Sequence, residues 1–171
     1  MLLLILQALY FFLPAYVANM MPVFVRKVPF LQNPLWAKYL GPNKTWRGVV
    51  AATLAGGIVF LIQQVLYRSG FDSLAFIDYA DIPIYFGLLM GFGAIMGDLV
   101  KSYYKRKEGI PAGEHWVPFD QMDFAIGGLI GACLLYVPPV EVTVVILLVS
   151  PLLHLLVNYV GYMMKVRKKK Y

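Results

Sequence analysis

The chain has few charged residues and a single cysteine. Of its 171 residues only 14% are charged and 60% are hydrophobic, whereas about a quarter of the residues in a soluble domain are charged. This composition excludes an ordinary soluble domain and predicts an integral membrane protein. Cys133 has no partner for a disulfide or a cysteine-based metal site, and because it lies in an apolar run we expect a small core residue. No segment is long and polar enough for a second domain, so one membrane domain over residues 1–171 is expected.

Five apolar segments are candidates for membrane-spanning helices, each of which needs about 20 apolar residues. They cover approximately residues 2–21, 48–67, 82–100, 120–137 and 142–164. The first lacks the charged n-region of a signal peptide, so we expect a retained span. The fourth contains Gly127, Gly128 and Gly131, which suit close helix packing more than contact with lipid. The predicted fold class is an all-α integral membrane protein with five transmembrane helices.

Basic residues are confined almost entirely to alternate connections. Five of the fifteen lie in the first connection, four in the third and five in the C-terminal tail, and only Arg68 lies in the second. By the positive-inside rule the basic segments are cytoplasmic, which places the N-terminus outside and the C-terminus inside. The two long connections, residues 22–47 and 101–119, are then cytoplasmic, and the basic tail 165–171 is expected to contact anionic lipid. We therefore expect a multi-pass protein of the cell membrane with its site on the cytoplasmic side.

Asp98 lies inside an otherwise apolar segment, where an ionised side chain is costly. Asp98, Lys101, Ser102 and Lys105 follow the i, i+3, i+4, i+7 spacing of one helix face. The lysines alone are explained as interfacial residues that reach the lipid headgroups, and an Asp98–Lys101 pair could be purely structural. The interfacial explanation does not account for Asp98, so these four residues on one helix face indicate a candidate site.

Asp120 and Asp123 form a D-x-x-D pair on one helical face. Two carboxylates so placed repel each other unless a cation bridges them, and hard oxygen ligands suit Mg²⁺. In the first turn of a helix the pair could instead complement the helix dipole. The nearby Asp98 and its basic neighbours favour the metal.

Residues 41–48 read Gly-Pro-Asn-Lys-Thr-Trp-Arg-Gly and lead into the second apolar segment. The Gly-Pro pair predicts a turn, and Asn43 is a candidate cap for the helix that follows. Lys44 and Arg47 could present positive charge to phosphate. The alternative is a basic interfacial segment with an aromatic belt residue. Of the two histidines, His115 is expected to be a polar loop residue and His154 a helix–helix hydrogen-bonding group.

Three blocks in this order and spacing resemble the CDP-archaeol synthase family, archaeal relatives of bacterial CDP-diacylglycerol synthases. The blocks are residues 41–48, then Gly-Asp-Leu-Val-Lys-Ser and Lys-Arg within 97–106, then residues 113–124 with Asp-Gln-Met-Asp-Phe. The resemblance covers essentially the whole chain, including its length and five-span layout. The chain is shorter than the bacterial relatives, and Gly-Glu-His-Trp stands at 113–116 in place of a Gly-His-Gly-Gly-like run.

The resemblance implies an enzyme, a cytidylyltransferase. The implied reaction transfers CMP from CTP to 2,3-bis-O-(geranylgeranyl)-sn-glycerol 1-phosphate and gives CDP-archaeol and pyrophosphate, with Mg²⁺ as cofactor and no nucleic acid as partner. Asp98, Asp120 and Asp123 would arrange Mg²⁺, and Lys101 would act with them in catalysis. The residues implied to lie near phosphates of nucleotide or lipid are Lys44, Arg47, Lys101, Lys105 and Arg106, with Asn43 and Ser102 as polar contacts. Hydrophobic grooves between the helices would hold the prenyl chains.

Two other functions fit part of the pattern. A CDP-alcohol phosphotransferase also uses aspartates, Mg²⁺ and a CDP-linked lipid, but its longer run of glycine, Ala-Arg and further aspartates does not follow Asp123. A small transporter, channel or non-catalytic membrane protein is the second alternative. A transporter would place polar residues along a path across several spans, whereas here they cluster at one level and no inverted repeat is present. The cytidylyltransferase is therefore the preferred interpretation.

Overall fold

The computed structural model of the protein describes residues 1–112, 114 and 116–163. Seven α-helices are α1 (Leu2–Phe11), α2 (Leu13–Phe24), α3 (Ala37–Leu40), α4 (Trp46–Arg68), α5 (Tyr85–Lys107), α6 (Phe119–Cys133) and α7 (Val140–Met163), with a 3-10 turn at Val25–Lys27. No β-strand occurs within these residues, which confirms the predicted all-α class. The predictions for His115 and for the tail 165–171 lie outside the described residues.

Two or three of the described helices are long and apolar enough to cross a membrane. α4 and α7 qualify individually, and α1 and α2 qualify together if the bent pair counts as one span. α6 has 15 residues, or about 22 Å of helix, which is shorter than the roughly 30 Å hydrocarbon core. The count of five spans therefore stays a prediction, and so does the orientation in the membrane.

The first predicted span is bent by 53° where α1 meets α2. Pro14 has no N–H to donate to the carbonyl of Tyr10, four residues earlier. Gln63, which is buried on α4, donates from its Nε2 to that carbonyl at 2.5 Å. The bend is therefore supported by a side chain of a neighbouring helix.

α5 continues through Lys107, about two turns beyond the predicted span. The helical spacing predicted for Asp98 to Lys105 is therefore confirmed, and the end of the membrane span near Val100 stays a prediction. Lysine and arginine have high helix propensity, and positive charge is favourable in the last turn of a helix because of the dipole. The basic run is consequently held on a rigid element.

α5 and α6 pack with their backbones in direct contact, through glycines on both helices. A Cβ on Gly97 would collide with the backbone carbonyl of Asp123, and a Cβ on Gly127 would collide with that of Gly93. The prediction that the glycines of the fourth segment serve close packing is thereby confirmed. The close approach brings the first two turns of α6 against the basic part of α5.

Cys133 is exposed, so the prediction that it is a core residue is wrong. It is the last residue of α6, and the preceding Ala132 and Leu129 are the side chains that this end of the helix buries. An apolar run does not distinguish core from lipid-facing positions, because both are apolar in a membrane protein.

Candidate functional site

The connection between α2 and α4 is folded back along itself, which positions Lys44. The backbone N–H of Leu35 donates to the carbonyl of Lys44 at 2.8 Å, and Pro34 forms an isolated bridge with Thr45. These contacts hold the 41–48 block at the start of α4, beside the end of α5.

Thr45 caps α4, and the prediction that Asn43 is the cap is wrong. The Oγ1 of Thr45 accepts a hydrogen bond from the N–H of Gly48 at 3.3 Å, and its backbone is extended, as is usual at a cap position. Asn43 comes two residues too early for this role. It lies instead on the wall of the polar cavity described below.

Lys101 lies at the centre of a cluster of three carboxylates. Its Nζ is 2.8 Å from Asp120 Oδ1, 3.0 Å from Asp123 Oδ2 and 3.3 Å from Asp98 Oδ1. The four side chains are only 5% to 16% exposed. Charges this well buried are tolerated because each has an opposite charge in contact. The structure thus brings together the predicted catalytic residues from two separate blocks.

Two further lysines complete this cluster. Lys44 pairs with Asp98 Oδ2, and Lys105 lies 3.0 Å and 2.8 Å from the two carboxylate oxygens of Asp120. The backbone N–H of Trp116 also donates to Asp120, at 2.6 Å. Three lysines therefore balance three aspartates, and the cluster is electrically neutral as a whole.

The remaining predicted phosphate-binding residues have three different environments. Arg106 lines the polar cavity, and its buried Nε and Nη1 have no hydrogen-bond partner among the described residues. The Ser102 hydroxyl donates to the carbonyl of Asp98 at 2.7 Å, within its own helix. Arg47 donates through Nη1 to the carbonyl of Val28 and is not part of the cavity wall. The Nε of Arg47 also lacks a partner among the described residues, so what distinguishes Arg106 is that its unpartnered donors belong to a residue of the cavity wall.

A polar cavity of about 320 Å³ lies above the cluster. Its wall includes nearly every predicted site residue, namely Asn43, Lys44, Asp98, Lys101, Ser102, Lys105, Arg106, Asp120 and Asp123. Asn19, Glu114 and His154 also line it, and none of the three was predicted as a site residue. For Asn19 and His154 a signal was present, since each is an isolated polar side chain in an apolar helix.

An apolar groove of about 640 Å³ follows the side of the α5–α6 pair. Exposed hydrophobic side chains line it, including Phe92, Met96 and Ile126. Among the described residues, only Lys101 and Asp123 belong to the walls of both the groove and the polar cavity. Their ion pair is therefore the boundary between a polar cavity and a hydrophobic groove.

The carboxylates of the three predicted metal ligands surround the ammonium group of Lys101, and they do not enclose an empty position for a metal ion. In the part of the chain that the structure describes, no three acidic, cysteine or histidine side chains form a ready metal-ligand set. Mg²⁺ needs only one or two carboxylates, because it keeps waters and binds substrate phosphates. Asp98 and Asp123 provide such hard oxygen donors from adjacent helices, both in contact with Lys101. The donor chemistry at this position therefore fits Mg²⁺.

Comparison with known proteins identifies the family. The family model described as CarS-like, CDP-archaeol synthase, matches residues 1–171. The CDP-archaeol synthase of Pyrococcus furiosus is 32% identical over 94% of this chain and 95% of its own length. That of Thermococcus kodakarensis is 33% identical over 94% of this chain and 92% of its own. The chain belongs to the CDP-archaeol synthase family. It is accordingly an enzyme, a cytidylyltransferase of archaeal lipid biosynthesis, as the resemblance of its motifs implies.

A solved structure supports the fold as well as the family. It is described as an intramembrane enzyme for archaeal membrane lipids biosynthesis and is 30% identical to this chain, with a TM-score of 0.70. The match covers 90% of this chain and 94% of that one. Together with the apolar helices, this likeness identifies a CDP-archaeol synthase family member that is a membrane protein.

Proposed function

We propose that the protein transfers CMP from CTP to the phosphate of 2,3-bis-O-(geranylgeranyl)-sn-glycerol 1-phosphate, forming CDP-archaeol and pyrophosphate with Mg²⁺ as cofactor. The observation that supports this most directly is the junction of the two cavities at Lys101 and Asp123. A soluble, anionic nucleotide suits the polar cavity with its four cationic side chains, and a lipid with apolar chains suits the groove. Transfer between the two substrates requires their phosphates to meet, and the junction is where both cavities end.

The cationic side chains of the polar cavity would hold the triphosphate through their charge and donor geometry. Arg106 offers buried donor atoms that have no partner in the described chain, and guanidinium groups bind phosphate oxygens in pairs. Lys44 and Lys105 add two ammonium groups on the same wall. Their present carboxylate partners keep them neutralised, so triphosphate binding would share these lysines with Asp98 and Asp120.

The groove would determine where the lipid phosphate lies rather than supply much binding energy. The lipid chains leave a hydrocarbon environment when they enter the groove, so little hydrophobic free energy is gained. The lipid phosphate is already anionic at neutral pH and attacks the α-phosphorus of CTP without a strong general base. A P–O bond forms there, and the bond from the α-phosphorus to the oxygen bridging the β-phosphate breaks. Positioning and charge neutralisation dominate catalysis of such transfers.

Asp98 and Asp123 are the residues that we assign to Mg²⁺, and Asp120 takes a positioning role. Asp98 and Asp123 would hold Mg²⁺, which when bound would neutralise phosphate charge and so favour departure of pyrophosphate. Both oxygens of Asp120 already accept hydrogen bonds, from Lys101, Lys105 and the Trp116 amide. The prediction that Asp120 is also a ligand would require it to give up these bonds. Its present contacts hold two lysines at the junction.

We further propose that the protein lies in the cell membrane and that its site faces the cytoplasm. Lys44 precedes α4 and contacts the basic half of α5, while Arg68 ends the same 23-residue helix, about 33 Å away. The described basic residues of the site therefore lie at one end of the bundle. The positive-inside bias favours the cytoplasmic side for that end, and soluble CTP would be available there.

An assay with purified protein, labelled CTP, Mg²⁺ and a prenyl-ether glycerol phosphate in mixed micelles tests this function. CDP-lipid and pyrophosphate should appear in equal amounts, should vanish with EDTA and should return with excess Mg²⁺. Asp123→Asn should lower turnover by about 100-fold, by analogy with removing one transition-state-stabilising group. Asp72→Asn, in an exposed connection at the other end of α4, is the matched control and should retain activity. Absence of both products with every lipid offered would contradict the proposal. Release of CMP from a supplied CDP-lipid would indicate a phosphotransferase instead.

A further inference from the structure

We propose that Lys101 is an exchangeable cation at the junction of the two cavities. In this proposal Lys101 releases Asp123 when a divalent cation binds there, and its ammonium group then binds the lipid phosphate at the end of the groove. Binding of the cation with its nucleotide would thereby be coupled to binding of the lipid. The inference rests on the proposed function, because it assigns a role to both substrates.

The position of Lys101 is the first argument. Its ammonium group lies 3.0 Å from Asp123, and this pair alone belongs to both cavity walls in the described part of the chain. Asp123 is 5% exposed and Lys101 is 15% exposed. A ligand phosphate that approaches from the groove therefore meets this pair before any other charged side chain of the cluster.

The distribution of partners is the second argument. Asp98 also pairs with Lys44, and Asp120 also pairs with Lys105. Asp123 has Lys101 as its one cationic partner among the described residues. If a divalent cation binds Asp98 and Asp123, Lys101 keeps Asp120 as its one carboxylate partner, and Asp120 also has Lys105. Lys101 then becomes a surplus positive charge next to a dication, and it is repelled.

The chemistry of lysine is the third argument. The ammonium group is a compact charge on a flexible four-carbon stem, so it can change partner while the helix stays in place. On one side of Lys101 lies the polar cavity, and on the other lies an apolar groove with no charged side chain besides Lys101 and Asp123 among its described residues. The anion expected at that end of the groove is the phosphate of the lipid. An exchange of one anion for another keeps the buried ammonium group paired throughout.

Binding of Mn²⁺ to nucleotide-free and lipid-free protein, followed by electron paramagnetic resonance, tests the competition without any turnover. Lys101→Met removes the competing charge and should tighten Mn²⁺ binding by about tenfold, within the usual range of coupling between sites. Lys105→Met is the matched control, because Lys105 lies one turn further along α5 and contacts Asp120 but not Asp123. Its Mn²⁺ affinity should change by less than about threefold. Lys101→Gln keeps a donor for the carboxylates and serves as a second variant if Lys101→Met does not fold.

Binding of a dialkyl-ether glycerol phosphate to the same proteins tests the coupling. Saturating Mn²⁺ should tighten lipid binding by about tenfold in the wild type and in Lys105→Met, and should have no such effect in the Lys101 variants. Equal effects of the Lys101 and Lys105 variants, or an unchanged Mn²⁺ affinity in both Lys101 variants, would overturn the exchange. If either of these results is found and the wild-type protein has full transferase activity, the proposed function is retained and only the exchange is ruled out. If Mn²⁺ and lipid binding are coupled but no CDP-lipid forms, the exchange is retained and the proposed function is ruled out.

Discussion

Asp98, Asp120 and Asp123 are of one residue type, yet their contacts give them different roles. Asp120 accepts hydrogen bonds from two lysines and a backbone amide, so it orders its surroundings. Asp123 has one lysine and the N–H of the adjacent Phe124. The D-x-x-D spacing in the sequence does not distinguish Asp120 from Asp123. Their distinction depends on which side chains of α5 lie opposite each of them.

Arg106 and Arg47 provide a contrast between two arginines with the same predicted role. Arg106→Met should raise the KM for CTP by about tenfold, because a charge-assisted hydrogen bond to phosphate is lost. Thermal stability should not fall, since the buried Nε and Nη1 of Arg106 have no partner in the described structure.

Arg47→Met is the matched comparison and should show the opposite pattern. Loss of its hydrogen bond to the Val28 carbonyl should cost about 1 kcal/mol, or a decrease in Tm of about 2–4 °C for a chain of this size. The KM for CTP should change little. Steady-state kinetics and thermal unfolding in detergent measure both quantities. An equal increase in KM for the two variants would place Arg47 at the phosphates as well.

At the scale of the elements, the contact between α5 and α6 decides the geometry of the site. Helix α5 contributes Asp98, Lys101 and Lys105, and α6 contributes Asp120 and Asp123. The two helices approach closely because glycines face the partner's backbone at the crossing. The distance between the lysines and the α6 carboxylates is therefore set by residues that carry no functional group.

Gly97→Ala should consequently impair catalysis although no functional side chain changes. The added Cβ would collide with the Asp123 carbonyl, and relief of that overlap moves α6 away from Lys101. Overpacking of this kind costs about 1–3 kcal/mol, so we expect a lower Tm together with at least a tenfold lower kcat. Gly48→Ala is the control, because its Cβ would lie 3.5 Å from Pro22, an ordinary contact. Wild-type kcat and Tm in Gly97→Ala would show that the crossing tolerates the extra atom.

At the scale of the whole molecule, the fold gives two substrates from different phases separate approaches to one point. The polar cavity is built from α2, α5, α6, α7 and the segment from Leu40 to Lys44, whereas the groove needs α5, α6 and the Trp116 segment alone. Substitutions in the groove should therefore weaken binding of the lipid and leave binding of the nucleotide unchanged.

Ile126→Trp tests this separation because Ile126 lines the groove one helical turn beyond Asp123 and does not line the polar cavity. The larger side chain should raise the KM for the prenyl-ether lipid by about fivefold or more, in line with the cost of overfilling a packed site. The KM for CTP should stay within about twofold. Ile58→Trp, on an exposed part of α4 outside both cavities, is the control and should leave both values unchanged. Parallel increases in both KM values for Ile126→Trp would indicate a general distortion.

The amino-acid sequence by itself determined the all-α class, the family and the set of polar residues from which the site is built. These depend on local properties, namely hydropathy, the cost of a charge such as Asp98 in an apolar segment, and the order of three short blocks. The tertiary structure decided which residues meet, including Lys44 with Asp98, 54 positions apart. It also decided that Thr45 rather than Asn43 caps α4, and that Lys101 and Asp123 separate a polar cavity from an apolar groove. Such contacts depend on how closely two helices pack, and hydropathy and charge spacing along one chain do not determine that distance.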